Sequence, residues 1–165
     1  MEEIGLIENL RIEEGKSVSF RFKDQQIRTW LRDVGSVLEL YVYRDCLMTR
    51  RFDDLISSAV VDWRAGQGHD AVTNELDVMA TRGVIPIFVS CKTCDVKTEA
   101  LNELAILRDR FGGKGSRAII APSGLATKSR APMRRRAEQL GIEVVEWDDL
   151  RMDRLVSRLR NTPMR

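Results

Sequence analysis

The sequence has little of three residue types that define particular protein classes. Its 165 residues include 1 histidine, 3 cysteines and 4 prolines. An odd, small number of cysteines does not form the disulfide framework of a secreted domain, so we expect a reducing, cytoplasmic location. The single histidine, His69, gives little support to a serine triad. The scarcity of proline, together with 43% apolar residues, argues against a disordered chain.

Long apolar runs and repeats are also missing from the sequence. No stretch approaches the roughly 18 uninterrupted apolar residues of a membrane span. The acidic start Met1-Glu2-Glu3 is unlike a signal peptide, so we expect no membrane partner. There is no internal repeat and no Pro/Ser-rich linker, and 165 residues fit a single domain over 1–165.

Charge is distributed unevenly along the chain. Residues 1–81 carry 10 Lys/Arg and 15 Asp/Glu, whereas residues 82–165 carry 17 Lys/Arg and 10 Asp/Glu. Within 111–136 there are seven basic residues and no acidic one. Such a segment can neutralise phosphates with an affinity that falls as salt rises. The alternative is a solvated helix face, and charge alone does not decide between the two.

Hydrophobic spacing predicts an α/β fold. Glycine and proline positions place the ends of the elements. The predicted elements are a strand or hairpin before residue 24, a helix over 24–49 interrupted at Gly35, strands over 55–64, 72–80 and 84–92, a helix over 98–111 that ends at Gly112-Gly113, a strand over 118–121, a helix with Pro132 in its first turn that closes at Gly141, a strand over 142–146 and a helix over 148–160. The first strands of the core are expected to be antiparallel and the last two to add in α/β fashion.

The strands over 72–80 and 84–92 are predicted to form a tight hairpin through Thr81-Arg82-Gly83. The second strand is nearly all apolar, which indicates burial on both faces. Residues two apart in a strand share a face, so the first strand turns three apolar side chains to one side, namely Leu76, Val78 and Ala80.

The opposite face of this hairpin gathers charged side chains. A turn centred on Arg82-Gly83 pairs Glu75 with Ser90 and leaves Asp77 one diagonal step away. Lys92 lies on the same face of the second strand. Two carboxylates near a buried strand are costly without a partner, and a divalent cation with a phosphate would supply one. Carboxylate oxygens suit Mg²⁺ or Mn²⁺.

These segments resemble the PD-(D/E)XK nuclease superfamily. The matching words are Asn74-Glu75-Leu76-Asp77-Val78, Phe88-Val89-Ser90-Cys91-Lys92-Thr93, the helical segment Gly35 to Tyr43 and the helix Ala100 to Gly113. The match covers about 27–150 and is most similar to the nuclease domains of CRISPR-associated effectors with a CARF sensor domain. It implies a restriction-endonuclease-like core over 27–150, with a mixed central sheet, an antiparallel active-site hairpin and flanking helices. Residues 1–26 would be an N-terminal strand or hairpin extension, and 151–165 a C-terminal helix.

The resemblance also implies the chemistry and its residues. Asp77 would be the principal metal ligand, supported by Glu39 and Glu75, with the Cys91 backbone carbonyl as a further ligand of Mg²⁺ or Mn²⁺. Lys92 would position or activate the attacking water. The function implied is metal-dependent hydrolysis of DNA and/or RNA, linked to CRISPR antiviral defence. The nucleic-acid backbone would be held by Lys114, Arg117, Lys128, Arg130, Arg134 and Arg135.

Two departures from the family pattern keep an alternative open. Ser90 stands where the (D/E)XK word has its acid, so the chain could instead be an inactive nucleic-acid-binding or assembly module. A structural salt bridge is the alternative reading of Asp77 and Lys92. These 165 residues have no room for a sensor domain, so a separate sensor or activator subunit and a homodimer are both left open.

Two further patterns have structural and functional readings. Cys91 and Cys94 spell Cys-Lys-Thr-Cys, which is typical of redox or zinc sites. A late hairpin strand is the wrong context for a redox pair, and zinc would need ligands that are scarce in this chain. Trp63 and Trp147 are interpreted as core residues rather than as base-stacking ones.

Overall fold

The structure is a computed structural model that describes residues 7–13, 17–32, 34–63 and 73–146. The loop that contains His69, Trp147 and the helix predicted over 148–160 lie outside the described residues. Contacts divide the chain into two compact units, residues 1–37 and 38–165.

The first unit is built around a hairpin. Strands β1 (Ile7–Glu13) and β2 (Ser17–Phe22) pair antiparallel, with an irregularity between Glu8 and Arg11. Helix α1 (Gln25–Arg32) follows, and Asp24 Oδ1 accepts a hydrogen bond from the Gln26 N–H just before it. Of the strand or hairpin predicted before residue 24, the structure has the hairpin.

The second unit is a five-stranded sheet with helices on both faces. Its first helix is α2 (Val34–Met48), which continues through Gly35, so the interruption predicted at Gly35 is wrong. The remaining elements are β3 (Asp54–Asp62), β4 (Thr73–Arg82), β5 (Ile85–Lys92), α3 (Thr98–Leu107) with a following π-helical turn (Arg108–Gly112), β6 (Arg117–Pro122), α4 (Thr127–Gln139) and β7 (Ile142–Val144).

Strand order and direction follow the lengths of the connections. The sheet runs β3-β4-β5-β6-β7; β3, β4 and β5 are antiparallel, whereas β5, β6 and β7 are parallel. Short turns suit antiparallel neighbours, while parallel neighbours need a crossover, which α3 and α4 provide. The sheet is therefore mixed and has helices on both faces, with the first strands antiparallel and the last two added in parallel, as the sequence predicts. None of the described helices has the length and apolar character to span a membrane.

Two apolar cores cover the two faces of the sheet. Strands β5 and β6 contribute to both, which confirms the predicted double-sided burial of β5. The core beneath α2 contains Leu38, Val42, Cys46, Val78, Ala80, Ile87, Val89, Cys91, Ile119, Ala121 and Val145. The core beneath α3 and α4 contains Leu76, Phe88, Leu101, Leu104, Ala105, Leu107, Ala118, Ile120, Met133, Ala137, Ile142 and Val144.

The register of the β4–β5 hairpin differs from the predicted one. The ladder pairs Arg82 with Ile85 and continues to Val78 with Val89, so the two-residue turn is Gly83-Val84 rather than one centred on Arg82-Gly83. Gly83 has φ +58°, which a two-residue turn requires and which costs glycine little. The shift is by two residues, so it moves partners along the strand without exchanging its faces.

Helix α4 begins earlier than predicted. It starts at Thr127, which puts Pro132 inside the helix rather than in its first turn. Asp95 accounts for the earlier start of α4. Its carboxylate accepts hydrogen bonds from the Ala126 N–H at 2.8 Å and from the Ser129 hydroxyl at 3.0 Å. These contacts satisfy groups at the helix start that would otherwise be unpaired.

Candidate active site

The site lies where β4 and β5 separate. Their ladder ends at Val78 and Val89, although β4 extends back to Thr73 and β5 extends on to Lys92. Beyond that point β4 pairs with β3 and β5 pairs with β6. Asp77 is the first residue of β4 past the last pair, at the mouth of the opening between the strands.

The carboxylate of Asp77 spans this opening. Its Oδ2 accepts hydrogen bonds from the Ser90 hydroxyl at 3.1 Å and from the Cys91 backbone N–H. The Lys92 Nζ lies 3.9 Å from the same oxygen. The Cys91 amide lies beyond the last β4–β5 pair, and Asp77 supplies the hydrogen-bond partner that it would otherwise lack. Among the described residues, the hydrogen bonds and the ion pair of Asp77 all use Oδ2.

The β4 strand changes face at this position. Val78 and Ala80 pack beneath α2, whereas Leu76 packs beneath α3. The prediction that these three side chains share one face is therefore wrong for Leu76. The β3–β4 ladder passes from Ser57↔Val78 to Ala59↔Leu76 and omits the pair between them, where Ser58 has φ +52°. The register is the same on both sides of this gap, and the change of face in β4 coincides with it.

A small polar cleft adjoins Asp77 between β4, β5 and α3. Its lining is Asn74, Glu75, Leu76, Ser90, Lys92, Ala100, Glu103, Leu104 and Leu107. Glu75 and Lys92 thus share one cleft, as the sequence predicts. Glu103 is a carboxylate that the sequence analysis does not identify. The sequence carries a signal for it, because residues three and four apart on a helix are neighbours, and the exposed Glu103 lies between Ala100 and Leu107, which also line the cleft.

Glu39 approaches the same strand from the other face of the sheet. It follows Leu38, which is buried together with Val42 on the inner face of α2. Burial raises the pKa of the Cys91 thiol, and the negative charges of Asp77 and Glu39 raise it further. Both carboxylates therefore act on Cys91, one from β4 and one from α2.

The oxygen donors around Asp77 suit a hard cation but do not enclose one. Within 7–13, 17–32, 34–63 and 73–146, no group of three or more His, Cys, Asp or Glu side chains is arranged to hold a metal ion. Mg²⁺ is commonly held by one or two carboxylates and completes its shell with water and phosphate oxygens. Asp77 with a backbone carbonyl or a second carboxylate fits that requirement. A closed site made of protein side chains alone does not.

The Cys-Lys-Thr-Cys segment lacks the features of a redox or zinc site. Cys91 is buried and Cys94 is exposed. Reactive thiols are partly exposed and have lowered pKa values, whereas burial raises that of Cys91. The absence of a metal-binding group among the described residues also gives no support to zinc.

The predicted nucleic-acid-binding residues fall at two ends of the sheet. Arg117 pairs with Ile87 at the start of parallel strands whose other end pairs Lys92 with Pro122, roughly 17 Å away at 3.3 Å per residue. Arg117 is also largely buried and held by Glu143 at 2.8 Å. Arg117 is therefore not brought to Asp77. Lys114 lies three residues before Arg117 and is exposed.

The basic residues of α4 lie on a helix that begins near the Lys92 end of the sheet. Arg134 donates from Nε to Glu146 Oε1 at 2.8 Å, and Arg130 lies 3.2 Å from Glu146 Oε2. One buried carboxylate thus holds two guanidinium groups, whose side chains are 51% (Arg130) and 46% (Arg134) exposed. Lys128 and Arg135 are exposed on the same helix.

Comparison with known proteins identifies the fold. No protein-family model and no curated protein matches the sequence. Among solved structures, protein VC1899 of Vibrio cholerae aligns with 22% identity and a TM-score of 0.67 over 92% of this chain and 39% of its own. Can2 of Sulfobacillus thermosulfidooxidans, solved in complex with cyclic tetra-adenylate, aligns with 21% identity and a TM-score of 0.59 over 93% of this chain and 42% of its own.

This chain has the fold of Can2 and VC1899. At 22% and 21% identity, the similarity is one of fold. The chain spans about two fifths of the length of each of these two proteins, at 39% and 42%.

Proposed function

We propose that this chain is a metal-dependent nuclease that hydrolyses phosphodiester bonds of DNA and/or RNA. The observation that carries the proposal is the meeting of Asp77 and Lys92, 3.9 Å apart, at the opening between β4 and β5. The cleft beside them contains further carboxylates and is open to solvent. The fold shared with Can2 and VC1899 supports the same conclusion.

Mg²⁺ or Mn²⁺ would be held by Asp77, with the Cys91 carbonyl and one of Glu39 or Glu75 as supporting donors. When bound, such an ion supplies Lewis acidity and lowers the pKa of a coordinated water. Asp77 suits this role because its three contacts all use Oδ2. The Cys91 amide and the Lys92 ammonium fix the orientation of the carboxylate, so that little reorganisation accompanies ligand binding.

Lys92 would act on the phosphate and on the attacking water. Hydrolysis adds a water oxygen to phosphorus, breaks one P–O ester bond and leaves the departing oxygen protonated. The Lys92 ammonium carries a positive charge to where negative charge develops on the phosphate. Its side chain is 37% exposed, so it can contact both Asp77 and a substrate in the cleft.

The substrate backbone would be held chiefly from α4. Lys128 and Arg135 are exposed, and Arg130 and Arg134 keep donors free beyond their shared carboxylate, Glu146. Guanidinium groups fixed in this way match phosphate geometry without further ordering. We therefore expect salt-sensitive binding that depends on α4 more than on Lys114 or Arg117.

Cleavage of single-stranded DNA, single-stranded RNA and plasmid in Mg²⁺, Mn²⁺ or EDTA tests the proposal. Asp77→Asn keeps a hydrogen-bond acceptor for the Cys91 amide but removes the charge. We expect it to lower cleavage by more than 100-fold with little loss of stability, and Lys92→Ala to do the same. Glu138→Gln and Arg82→Ala are matched controls, since each removes one exposed charge away from the cleft. Undiminished cutting by Asp77→Asn and Lys92→Ala would remove this site assignment.

A second candidate function is supported by Ser90. A serine in place of the family's acid leaves one metal ligand fewer on β5, which favours a nucleic-acid-binding or assembly module without catalysis. Binding without metal-dependent cleavage by the wild-type protein is the result that this candidate requires.

The wider role we propose is in CRISPR-linked antiviral defence. Its support is the shared fold with Can2, a protein solved with cyclic tetra-adenylate bound. A separate sensor or activator subunit and a homodimer are part of this proposal. Size-exclusion chromatography with light scattering, with and without cyclic tetra-adenylate, tests the oligomeric part.

A further inference from the structure

Three planar side chains meet near one end of the cleft: the Trp63 indole, the Arg110 guanidinium and the Phe111 ring. The two ring centroids are 5.3 Å apart with the planes at 70°. The Arg110 Cζ lies 5.0 Å from the Trp63 centroid and 6.0 Å from the Phe111 centroid. Arg110 also donates to the Trp63 backbone carbonyl at 3.4 Å. The guanidinium is therefore held against both rings by cation–π contact.

The π-helical turn Arg108–Gly112 creates this arrangement. Such turns are rare and occur frequently at functional sites. The turn directs two consecutive residues, Arg110 and Phe111, to one indole. Its shape is fixed by close packing, because a Cβ on Gly112 would lie 2.9 Å from Phe88 Cε2 and in collision with Ser116. Phe88 is fully buried, so the turn is anchored to the core.

This cluster, the Trp63–Arg110–Phe111 stack, is accessible from solvent. Phe111 is 40% exposed, Arg110 is exposed, and Trp63 is half-buried over the core beneath α3. Among the residues that the structure describes, no carboxylate pairs with Arg110. Its positive charge and planar outer surface are thus available to a ligand.

The stack is continuous with the cleft at two points. The Trp63 Nε1–H donates to Asn74 Oδ1, and Asn74 lines the cleft together with Ser90 and Lys92. On the other wall, Leu107 lines the cleft and is directly followed by the π-helical turn. A chain bound along the cleft past Lys92 would reach the stack next.

We propose that the Trp63–Arg110–Phe111 stack binds one unpaired nucleobase of a single-stranded substrate. Aromatic and guanidinium planes stack on the faces of all bases, and the positive charge also favours the adjacent phosphate. Bases within a duplex do not expose these faces, so the stack selects single strands. The inference rests on the proposed nuclease function and names the kind of strand that it acts on.

Binding in EDTA separates base stacking from phosphate contacts. The probes are fluorescein-labelled twelve-nucleotide oligothymidylate and a matched strand of the same length in which every base is absent. Fluorescence anisotropy measures their Kd for the full-length protein. Arg110→Lys keeps the charge but removes the planar group, Phe111→Ala removes a ring, and Arg82→Ala is the charge control.

We expect the wild type to prefer the strand with bases. Arg110→Lys and Phe111→Ala should each weaken its binding about tenfold, in line with measured base–aromatic stacking, and leave binding of the baseless strand unchanged. Arg82→Ala should keep the wild-type ratio. Arg110→Lys alters only an exposed side chain, so it reports on the stack even where Phe111→Ala disturbs folding.

The failure of this inference is distinguishable from the failure of the proposed function. Suppose that Arg110→Lys and Phe111→Ala weaken binding equally on both strands, or on neither, while the wild type cuts with metal. That result overturns the stacking site alone. A wild type that binds neither strand and cuts nothing overturns both proposals.

Discussion

Replacing Ser90 with aspartate gives a sharp test of the site geometry. The Ser90 hydroxyl donates to Asp77 Oδ2 at 3.1 Å. Ser90→Asp exchanges that donor for a second negative charge, at the position where the (D/E)XK pattern has an acid. The change therefore has opposite effects without and with a divalent cation.

The expected loss of stability in EDTA follows from the contacts of Asp77. The lost hydrogen bond contributes about 1 kcal/mol. Two unit charges about 4 Å apart repel by about 4 kcal/mol at an effective dielectric constant near 20. Asp77 is 15% and Lys92 37% exposed, so solvent and the ammonium reduce this repulsion to roughly half. A total of about 3 kcal/mol lowers Tm by roughly 6–12 °C in a chain of this size.

The pH dependence has a definite sign. Two adjacent carboxylates raise the pKa of one of them above its value in the unfolded chain. Relative to the wild type, the stability of Ser90→Asp is therefore greatest at low pH, and this relative stability falls as pH rises through the raised pKa. Its Tm should approach that of the wild type near pH 4, about the ordinary pKa of aspartate. Mn²⁺ at 100 times its Kd should restore about 2.7 kcal/mol.

Thermal melts by circular dichroism in EDTA and in Mn²⁺ at several pH values measure these effects. Ser90→Asn is the matched control, since it has the same shape without the charge. If Ser90→Asp and Ser90→Asn melt alike at every pH and with or without Mn²⁺, then position 90 does not lie beside Asp77 in a cation site, and the reasoning is refuted.

Two other predictions concern thiols and packing. Burial, with a contribution from the charge of Asp45, raises the pKa of Cys46 to about 12, and burial also raises the pKa of Cys91. Both thiols should therefore stay protonated at pH 8. Mass spectrometry after iodoacetamide treatment should find Cys94 alkylated, and Cys46 and Cys91 unmodified until the chain is unfolded. Gly112→Ala should destabilise the protein by about 2 kcal/mol through overpacking in the π-helical turn. Urea unfolding should then show a lower midpoint with an unchanged slope. An unchanged midpoint would contradict the packing described for this turn.

Much of the fold could be predicted because periodicity and turn residues agree along the chain. The continuous apolar run of β5 predicts a strand buried on both faces, and the spacing of Leu101 and Leu104 predicts the helix after it. Both are observed. The prediction of β4 as the hairpin partner of β5 is also confirmed. The predicted register is wrong, because Gly83 can take the first or the second position of a two-residue turn and local sequence does not choose between them.

The proximity of Asp77 and Lys92 could be predicted from the sequence, but the geometry around them could not. The motif words point to Asp77 and Lys92, which the structure brings together. The opening between β4 and β5 has no local signal, because it arises where β4 follows β3 and β5 follows β6. The contribution of Glu103 depends on how α3 docks on the sheet, and the π-helical turn depends on tertiary packing around Phe88. Such long-range causes are absent from any short window of sequence.

The hydrogen bond from the Cys91 amide to Asp77 affects how relatives of this chain should be interpreted. The carboxylate supplies the partner that this amide would otherwise lack, so a relative without the hydrolysis that we propose would still gain from keeping this acid. Lys92 has no comparable duty toward the backbone through its side chain. The presence of the lysine, rather than of the aspartate, is therefore the better indicator that a relative keeps the hydrolytic activity that we propose.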